Sequence, residues 1–264
     1  MTEPFYFGIP LIARAAAGDW QLVEHLFDLT LRSVMAQDDA DFRVLLAGHD
    51  LPRAWSAVAD DPRFTWLPAD WAPEPPTAAN DDGGRKKWLV RQRMRQAGGG
   101  LLMFLDADDW VARDLVRRAR EQIGPQHLGG VVGAGFALDY RTGRVMRFPI
   151  AGAFEGDFHQ LCGSSTVGRI AGEDHDRHPD PHAVLGSHHE WVEAAARTGT
   201  ALARLDVTGM YLVGTGENHS EAAGPFARWR CGITEAVRSH GVRLDDGLAA
   251  HFGQEPLLPQ SLHD

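Results

Sequence analysis

Three carboxylates follow an apolar run near the middle of the chain, and their spacing suits a divalent cation. Leu101–Leu105 are all apolar, and Asp106, Asp108 and Asp109 come directly after them. A short, continuous apolar run is typical of a strand that is buried on both faces of a parallel sheet. In open α/β sheets, ligands bind at the carboxyl ends of the strands. Because Mg²⁺ and Mn²⁺ prefer oxygen ligands, Asp106 and Asp108 are candidate metal ligands at that edge.

A helix cap is the alternative role for the same aspartates. Aspartate is a favourable N-cap residue, and negative charge stabilises a helix N-terminus. Apolar residues then follow at helical spacing until Gly124-Pro125 ends the run, namely Val111, Leu115, Ala119 and Ile123. Capping accounts for one aspartate of the three. The motif by itself leaves both interpretations open.

The composition restricts the class of protein. A chain of 264 residues with 44% hydrophobic residues can bury the core of one large α/β domain. The net charge of −10 argues against nucleic-acid binding, which requires clustered Lys and Arg. Cys162 and Cys231 lie too far apart for zinc spacing and give no disulfide framework. Because neither a signal peptide nor a membrane span is recognisable, the sequence predicts a cytoplasmic protein.

Alternating strands and helices precede the acidic motif. The first predicted strand, Phe5 to Ile12, ends in a loop of small residues from Ala13 to Gly18, and Asp19 follows as a helix N-cap. The next predicted elements are a helix with an apolar face at Val23, Leu26, Phe27, Thr30, Leu31 and Val34, a strand from Phe42 to Ala47 and a strand from Phe64 to Leu67. This alternation predicts βαβ units and a parallel sheet.

A strongly basic run leads directly into the acidic strand. The run from Arg85 to Arg95 is rich in Lys and Arg. Val90 and Met94 lie within it at helical spacing and form an apolar stripe, which predicts a helix packed on the sheet. The ordinary function of such charges is a solvated face. A basic side chain of the first turn, Arg85, Lys86 or Lys87, is the alternative candidate for binding phosphate beside a metal.

The order of these segments resembles the nucleotide-binding half of a GT-A glycosyltransferase, most closely family 2. The resemblance covers residues 7–110 and rests on FGIPLIARAAAGDW, on the basic helix and on LLMFLDADDW. It implies that the first strand and Ala13 open the nucleotide site and that Asp50 contacts the base. It also implies that Asp106 and Asp108 bind Mn²⁺ or Mg²⁺ together with the donor diphosphate.

The second half predicts an antiparallel addition to the sheet. A glycine-rich strand from Gly130 to Tyr140 turns at residues 141–144 into a strand at 145–148, and further strands follow at 201–207 and 210–213. The polar segment 172–189 indicates a solvated loop or, alternatively, a metal site made from His175, His178 and His182 with Asp174, Asp176 and Asp180. A final helix with Ile233 and Val237 on its apolar face is expected to pack on the domain.

The candidate catalytic residues lie before a helix that Gly199 ends. Ser187 and Glu190 form a Ser-x-x-Glu capping box, which gives Glu190 a structural role. The family has a Glu-Asp pair at the start of this helix, and its Asp is the catalytic base in inverting members. Here His188 occupies that Asp position, and a histidine can accept a proton near neutral pH. We therefore rank His188 first, Glu190 second and Asp174 third.

The sequence thus predicts a single GT-A-like α/β domain with a mainly parallel central sheet, flanking helices and a small antiparallel addition. Its expected parts are a nucleotide-sugar half (1–110), an acceptor half (111–220) and a C-terminal helix and tail (221–264). The resemblance implies metal-dependent transfer of a sugar from a nucleotide-sugar donor to a hydroxyl of a carbohydrate or lipid-linked acceptor. It also implies that His219 completes the metal shell.

Two other classes of protein fit some of the same residues. An apolar strand that ends in Asp-x-Asp also suggests a phosphatase of the haloacid dehalogenase type. In that class the motif lies early and continues to Thr or Val, whereas Trp110 stands there in this chain after three predicted strands. The missing Glu-Asp pair suggests instead a nucleotide-sugar-binding protein that has lost transfer activity.

Overall fold

A ten-stranded sheet runs through the part of the chain that the computed structural model describes, which is residues 3–74, 81–173, 179–217 and 227–255. The strands are β1 (Phe5–Pro10), β2 (Phe42–Gly48), β3 (Phe64–Pro68), β4 (Gly99–Phe104), β5 (Trp110–Val111), β6 (His127–Asp139), β7 (Arg144–Arg147), β8 (Thr166–Ala171), β9 (Ala201–Val213) and β10 (Val242–Arg243). Their order across the sheet is β10-β7-β6-β8-β4-β1-β2-β3, and β9 pairs with both β5 and β6.

Helices cover both faces of this sheet. They are α1 (Trp20–Met35), α2 (Asp81–Gln96), α3 (Leu115–Gln122), α4 (Phe158–Leu161), α5 (Pro181–Val184), α6 (Trp191–Thr198), α7 (Ala227–His240) and α8 (Asp246–His251), with 3₁₀ turns at Arg14–Ala16, Arg53–Ala57 and His188–Glu190. The predicted N-cap of α1 is confirmed, since the Asp19 carboxylate accepts the N–H groups of Gln21 and Leu22.

The first half of the sheet is parallel, as the alternation of strands and helices predicted. β1 lies between β2 and β4 and runs parallel to both, and β3 continues the sheet beside β2. Successive side chains of a strand lie on opposite faces. Accordingly, Phe5 and Phe7 belong to the core on the α1 side, whereas Tyr6 packs with Val90 and Met94 of α2. The carboxyl ends of β1 and β4 therefore lie side by side at one edge.

The second half adds antiparallel pairs and one long parallel pair. β8 is antiparallel to β4 and β6, β7 is antiparallel to β6, and β9 is parallel to β6. The two strands predicted at 201–207 and 210–213 are in fact one strand, β9. Its Gly209 pairs with Gly135 within the ladder, and a side chain at either glycine would collide with the ring of Phe158.

The cap interpretation of the acidic motif is wrong, because no helix begins at Asp108 or Asp109. Trp110 and Val111 form β5, which pairs with β9, and α3 begins only at Leu115. The apolar spacing that predicted a helix from residue 111 arises because Val111 and Leu115 are both buried in the same core, although they lie in different elements. The carboxylates of residues 106–109 therefore lie in a loop between two strands.

None of the helices in the described ranges has both the length and the apolar character needed to cross a bilayer.

A half-buried histidine whose Nε2 atom is inaccessible to water predicts that the fold loses stability in acid. The His182 ring packs between Phe104 and Trp191, and its Nε2 atom has no hydrogen-bond partner. Burial, together with the positive charges of Arg91 and Lys87, lowers the pKa of His182 to about 3. The unfolded chain takes up this proton below about pH 6.5, whereas the folded protein takes it up only near pH 3. The free energy of unfolding therefore decreases as the pH is lowered from about 6.5 to about 3.

We expect His182 to cost about 2 kcal/mol of folding stability between pH 7 and pH 5, from the pKa difference alone. Urea unfolding at both pH values would measure the loss in the wild type and in His182→Phe, which cannot titrate. The variant should lose about 2 kcal/mol less than the wild type. His240→Phe, at an exposed position at the end of α7, should behave as the wild type does. An equal loss in the wild type and in His182→Phe would contradict the prediction.

Candidate active site

A cleft of about 280 Å³ opens at the carboxyl ends of β1 and β4. It lies between the first turns of α2, the acidic loop that follows β4, and the residues that follow β9. Its lining residues are Pro10, Leu11, Ile12, Val23, Leu26, Glu74, Asp82, Gly83, Lys86, Lys87, Asp106, Ala107, Asp108, Gly163, His188, Tyr211, Glu217 and Arg230. One wall is apolar, and the rest combines acidic, basic and imidazole side chains. The edge of the sheet is the one that the sequence predicted.

The three aspartates of the acidic loop occupy two different environments. Asp106 and Asp108 are half-buried and line the cleft. Asp109 is buried, and its carboxylate accepts three hydrogen bonds. Ser164 Oγ (2.7 Å) and Cys162 Sγ (3.3 Å) donate to Oδ2, and the Leu212 N–H donates to Oδ1 (3.1 Å). Asp109 thus fixes the loop to its neighbours, and the two other carboxylates remain at the cleft.

The carboxyl group of Asp109 is strongly perturbed. Complete burial and the negative charge of Asp106 raise the pKa of Asp109 to about 7, against the three hydrogen bonds that lower it. The sequence predicted only Asp106 and Asp108 as metal ligands, but it did not predict a structural role for a buried Asp109. The available signal was the position of Asp109 directly before Trp110, since a residue that enters a buried strand has little access to solvent.

The two lysines predicted to bind phosphate both line the cleft, but they differ in their surroundings. Lys86 is only 1% exposed, forms an ion pair with Asp82 and donates a hydrogen bond to the Leu11 carbonyl (2.8 Å). Burial lowers its pKa, although Asp82 opposes the shift. Lys87 is half-buried, and its Nζ atom lies 5.5 Å from the centre of the Phe104 ring. Because protein groups already bind the Lys86 ammonium, Lys87 is the better placed of the two for a phosphate.

Two residues that the resemblance assigned to the nucleotide site are not among the residues that line the cleft. Ala13 is buried, and its carbonyl accepts the N–H groups of Ala16 and Ala17 in a 3₁₀ turn. The Asp50 carboxylate accepts the Arg14 N–H (2.9 Å). In this structure both residues hold the loop after β1, which in turn forms part of the cleft wall.

His188 is a neutral imidazole at the cleft. Its Nδ1 lies 2.7 Å from the His159 carbonyl oxygen, and since a carbonyl only accepts, Nδ1 carries the proton. In the neutral ring the lone pair is then on Nε2. Burial is the main reason that the pKa of His188 is lowered to about 4, and the charges of His189 and Arg230 add to the effect. His188 therefore has a defined tautomer and can accept a proton at neutral pH.

Glu190, ranked second as the catalytic residue, forms the predicted capping box. Its carboxylate accepts the Ser187 N–H (3.0 Å), while the Ser187 side chain caps the Glu190 N–H. Glu190 is exposed and is not among the residues that line the cleft. α6 follows and ends at Gly199, which has a positive φ of 67° as the sequence suggested. The geometry thus gives Glu190 a structural role. Asp174, ranked third, lies outside the described residues.

Tyr211 and Arg230 line the cleft but were not predicted as site residues. Arg230 lies on α7, and its guanidinium donates a hydrogen bond to the Tyr211 hydroxyl (3.1 Å). The sequence predicted only that this helix packs on the domain, and Ile233 and Val237 are indeed fully buried. No local motif distinguishes Arg230, because its position at the cleft depends on how α7 packs against β6 and β7.

Glu217 connects the two walls of the cleft. Its carboxylate accepts the N–H groups of Gly18 (3.0 Å) and Asp19 (2.6 Å) at the start of α1. A Cβ atom at Gly18 would lie 2.7 Å from a Glu217 oxygen, so the loop of small residues allows this approach. Glu217, in the segment that follows β9, thereby fixes that segment to the loop that follows β1.

The donor set at the cleft fits Mg²⁺ or Mn²⁺ held partly by a substrate. Within the described ranges, no three His, Cys, Asp or Glu side chains are grouped to hold a metal ion, and the predicted ligand His219 lies outside these ranges. Asp106 and Asp108 provide two carboxylates at one cleft. Mg²⁺ is usually bound by one or two carboxylates together with substrate phosphates and water, so the two aspartates are a sufficient protein contribution.

The polar segment 172–189 gives little support to the alternative metal site. Asp180 caps α5 and forms an ion pair with Arg91 (3.3 Å), and the ring of His182 packs between those of Phe104 and Trp191. Residues 174–178, which would provide the other ligands, lie outside the described part of the chain. The two candidate ligands that are described therefore have structural functions.

Comparison with known proteins gives a family match and distant structural similarities. The family model described as "Putative rhamnosyl transferase" matches residues 19–198, and no curated protein sequence is significantly similar to the chain. The inositol-1-phosphate CTP transferase from T. maritima is 10% identical, with a TM-score of 0.41 over 90% of this chain and 98% of that chain. The galactosyltransferase LgtC is 12% identical, with a TM-score of 0.35 over 94% of this chain and 99% of that chain. The glycosyltransferase GlyE of Streptococcus pneumoniae TIGR4 is 10% identical, with a TM-score of 0.36 over 93% of this chain and 46% of that chain.

The family match includes the acidic loop, the segment before β8 and His188, and it spans more than half of the chain. It confirms the predicted glycosyltransferase class, and the structure itself confirms the predicted single sheet of parallel strands with antiparallel additions. The phosphatase alternative gains nothing from the comparisons. The chain belongs to the glycosyltransferase family described as "Putative rhamnosyl transferase".

Proposed function

We propose that this protein transfers rhamnose from a nucleoside diphosphate-rhamnose donor to a hydroxyl group of a carbohydrate or lipid-linked acceptor. The observation that carries the proposal is one cleft that combines two carboxylates, basic side chains and a neutral histidine, in a chain of this family. Residues 1–110 are proposed as the nucleotide-sugar half, 111–220 as the acceptor half and 221–264 as the C-terminal helix and tail. The acidic loop lies where the first two parts meet.

Asp106 and Asp108 are the residues proposed to hold Mg²⁺ or Mn²⁺ with the donor diphosphate. The metal would supply Lewis-acid stabilisation of the negative charge that develops on the departing diphosphate. Support comes from the position of both carboxylates on one loop at the cleft. Asp109 does not take part directly, because its oxygen atoms already accept hydrogen bonds from the protein.

Lys87 and Arg230 are proposed to contact the diphosphate from the two sides of the cleft. Lys87 lies at the start of α2 and Arg230 lies on α7, and both line the cleft. Cationic side chains that are already in place at a developing negative charge stabilise it without reorganisation. The overall charge of −10 makes such a local concentration of positive charge more significant, since the rest of the molecule repels anions.

His188 is proposed as the base that accepts the acceptor proton at Nε2. The new bond joins the acceptor oxygen to the anomeric carbon, and the bond between that carbon and the diphosphate oxygen breaks. The acceptor hydroxyl becomes strongly acidic as its oxygen forms the new bond, so a base with a pKa of about 4 can take the proton at that stage. The hydrogen bond to the His159 carbonyl keeps the ring in the required tautomer.

A donor screen by thermal shift tests this proposal. The screen would compare dTDP-, UDP- and GDP-rhamnose, with and without Mn²⁺, and with the matching nucleoside diphosphate-glucose as the control sugar. A ligand at about 100 times its Kd stabilises the native state by about 2.7 kcal/mol, which corresponds to a rise in Tm of about 5–10 °C for a domain of this size. We expect one rhamnose donor to give such a rise only with Mn²⁺. If none of them changes the Tm under either condition, the donor proposal is wrong.

A donor-binding protein without transfer activity is the second candidate. It is favoured by one observation, the absence of an aspartate at the start of α6, where His188 and Glu190 lie instead. Incubation of the stabilising donor with Mn²⁺ distinguishes the two functions. Slow release of nucleoside diphosphate by the wild type supports the transferase, whereas tight binding without any release supports the binding protein.

A further inference from the structure

The segment between α4 and β8, residues 162–165, forms hydrogen bonds with the acidic loop. Ser164 Oγ accepts the Asp106 N–H (2.8 Å) and donates to the Asp109 carboxylate (2.7 Å), so one hydroxyl group holds the loop at both ends. Ser164 is only 3% exposed. Because water has little access to this hydroxyl, removing it would leave the Asp106 N–H without its partner.

The neighbouring Gly163 has no side chain and so leaves space for the Asp106 carboxylate. A Cβ atom at Gly163 would lie 2.7 Å from Asp106 Oδ2, which is closer than a carbon and an oxygen can approach. Gly163 does not belong to the glycines with positive φ, so its backbone conformation is open to alanine. The glycine is therefore needed for space at the carboxylate and not for an unusual backbone conformation.

The segment itself is firmly attached to the core. Ser165 Oγ donates to the Cys162 carbonyl (2.6 Å), and the Cys162 N–H donates to the Phe158 carbonyl of α4 (3.0 Å). Both Cys162 and Ser165 are fully buried. Because this segment is held in place on the core, its hydrogen bonds to the acidic loop hold that loop in place as well.

We propose that Gly163 and Ser164 are positioning residues that set the place of the Asp106 carboxylate and, through it, the affinity of the cleft for a divalent cation. This inference rests on the proposed function, since it concerns the metal of that site. Ser164 fixes the backbone of Asp106, and Gly163 leaves room for its Oδ2 atom. Neither residue contacts the cation. Groups that orient metal ligands typically contribute about 10- to 100-fold to metal affinity.

The test is a direct titration of Mn²⁺ binding by electron paramagnetic resonance, which detects free Mn²⁺, with and without the nucleoside diphosphate. In Ser164→Ala and in Gly163→Ala the Kd for Mn²⁺ should rise about tenfold or more. Two matched controls should keep the wild-type Kd. Thr30→Ala removes a buried hydroxyl whose hydrogen bond stays within α1, and Gly133→Ala adds a methyl group in β6 with only ordinary contacts.

Turnover as a function of Mn²⁺ separates positioning from damage to the fold. A positioning role predicts that kcat of both variants recovers at saturating Mn²⁺, with melting temperatures close to those of the matched controls. Equal losses of Mn²⁺ affinity in Ser164→Ala and Thr30→Ala would overturn the inference, because they would indicate general destabilisation. If both test variants bind Mn²⁺ with wild-type affinity and Asp108→Asn binds none, the positioning role of Gly163 and Ser164 is wrong, and the proposed metal role of the aspartates stands. A wild-type protein that binds no Mn²⁺ would overturn the proposed metal role and this inference with it.

Discussion

Replacing Asp108 with asparagine is expected to abolish the Mn²⁺-dependent part of donor binding and to lower kcat/KM by at least about 100-fold, or about 3 kcal/mol. Asparagine keeps the shape of the side chain and removes its charge. Asp106 and Asp108 are the aspartates of the acidic loop that line the cleft, so the loss of one halves the carboxylates proposed to hold the cation. Asp109 cannot replace it, because it is buried and held by Ser164, Cys162 and Leu212.

Calorimetric titration of the donor, with Mn²⁺ and after addition of a chelator, would measure this effect. Asp60→Asn is the matched control, since Asp60 is exposed on the turn before β3 and lies away from the cleft. It should bind the donor as the wild type does. Donor affinity that is insensitive to both Asp108→Asn and the chelator would show that the metal role is wrong.

The parts of the fold that follow local rules were predictable from sequence. β1 and β4 are apolar runs buried on both faces, β2 is buried except at Arg43, and Asp19 caps α1 as its position suggested. The capping box at Ser187 and Glu190 was likewise visible, because its two hydrogen bonds depend on residues three positions apart. In each case the residues that predicted the element are the same neighbouring residues that form it.

The remainder depends on contacts between distant segments, which no local pattern records. Asp109 is buried because Ser164 and Leu212 surround it, and Lys86 is buried because the Leu11 carbonyl and Asp82 bind its ammonium group. Arg230 reaches the cleft only because α7 packs against β6 and β7. The spacing that predicted a helix from Val111 was misleading for the same reason, since a strand and a helix contribute to one core.

The largest effect on chemistry without loss of donor binding is expected at His188. His188→Gln should lower kcat by about 10²- to 10⁴-fold, the usual contribution of a general base, and leave the donor Kd within about twofold. Glutamine is of similar length, but its amide is not a base. Single-turnover transfer and donor titration measure the two quantities separately. A loss of donor affinity in parallel with kcat would contradict this role.

The pH dependence of the wild type provides an independent check on the same residue. Burial lowers the pKa of His188 to about 4, so its Nε2 is unprotonated above that pH and protonated only in stronger acid. Protonation of His188 should therefore cause no loss of kcat/KM between pH 8 and pH 5. A decline centred near pH 6.5, the value for an exposed histidine, would mean that His188 is solvated in the working enzyme or that another histidine is the base.

Glu190→Gln decides between His188 and Glu190 as the catalytic base. Glutamine can form the same capping box as glutamate, so this variant removes the carboxylate and keeps the hydrogen bond to the Ser187 N–H. If Glu190 only caps the helix, both kcat and Tm should stay close to the wild-type values. If turnover instead falls by about 100-fold or more at unchanged Tm, Glu190 is the base, and its carboxylate must leave the cap and enter the cleft during the reaction.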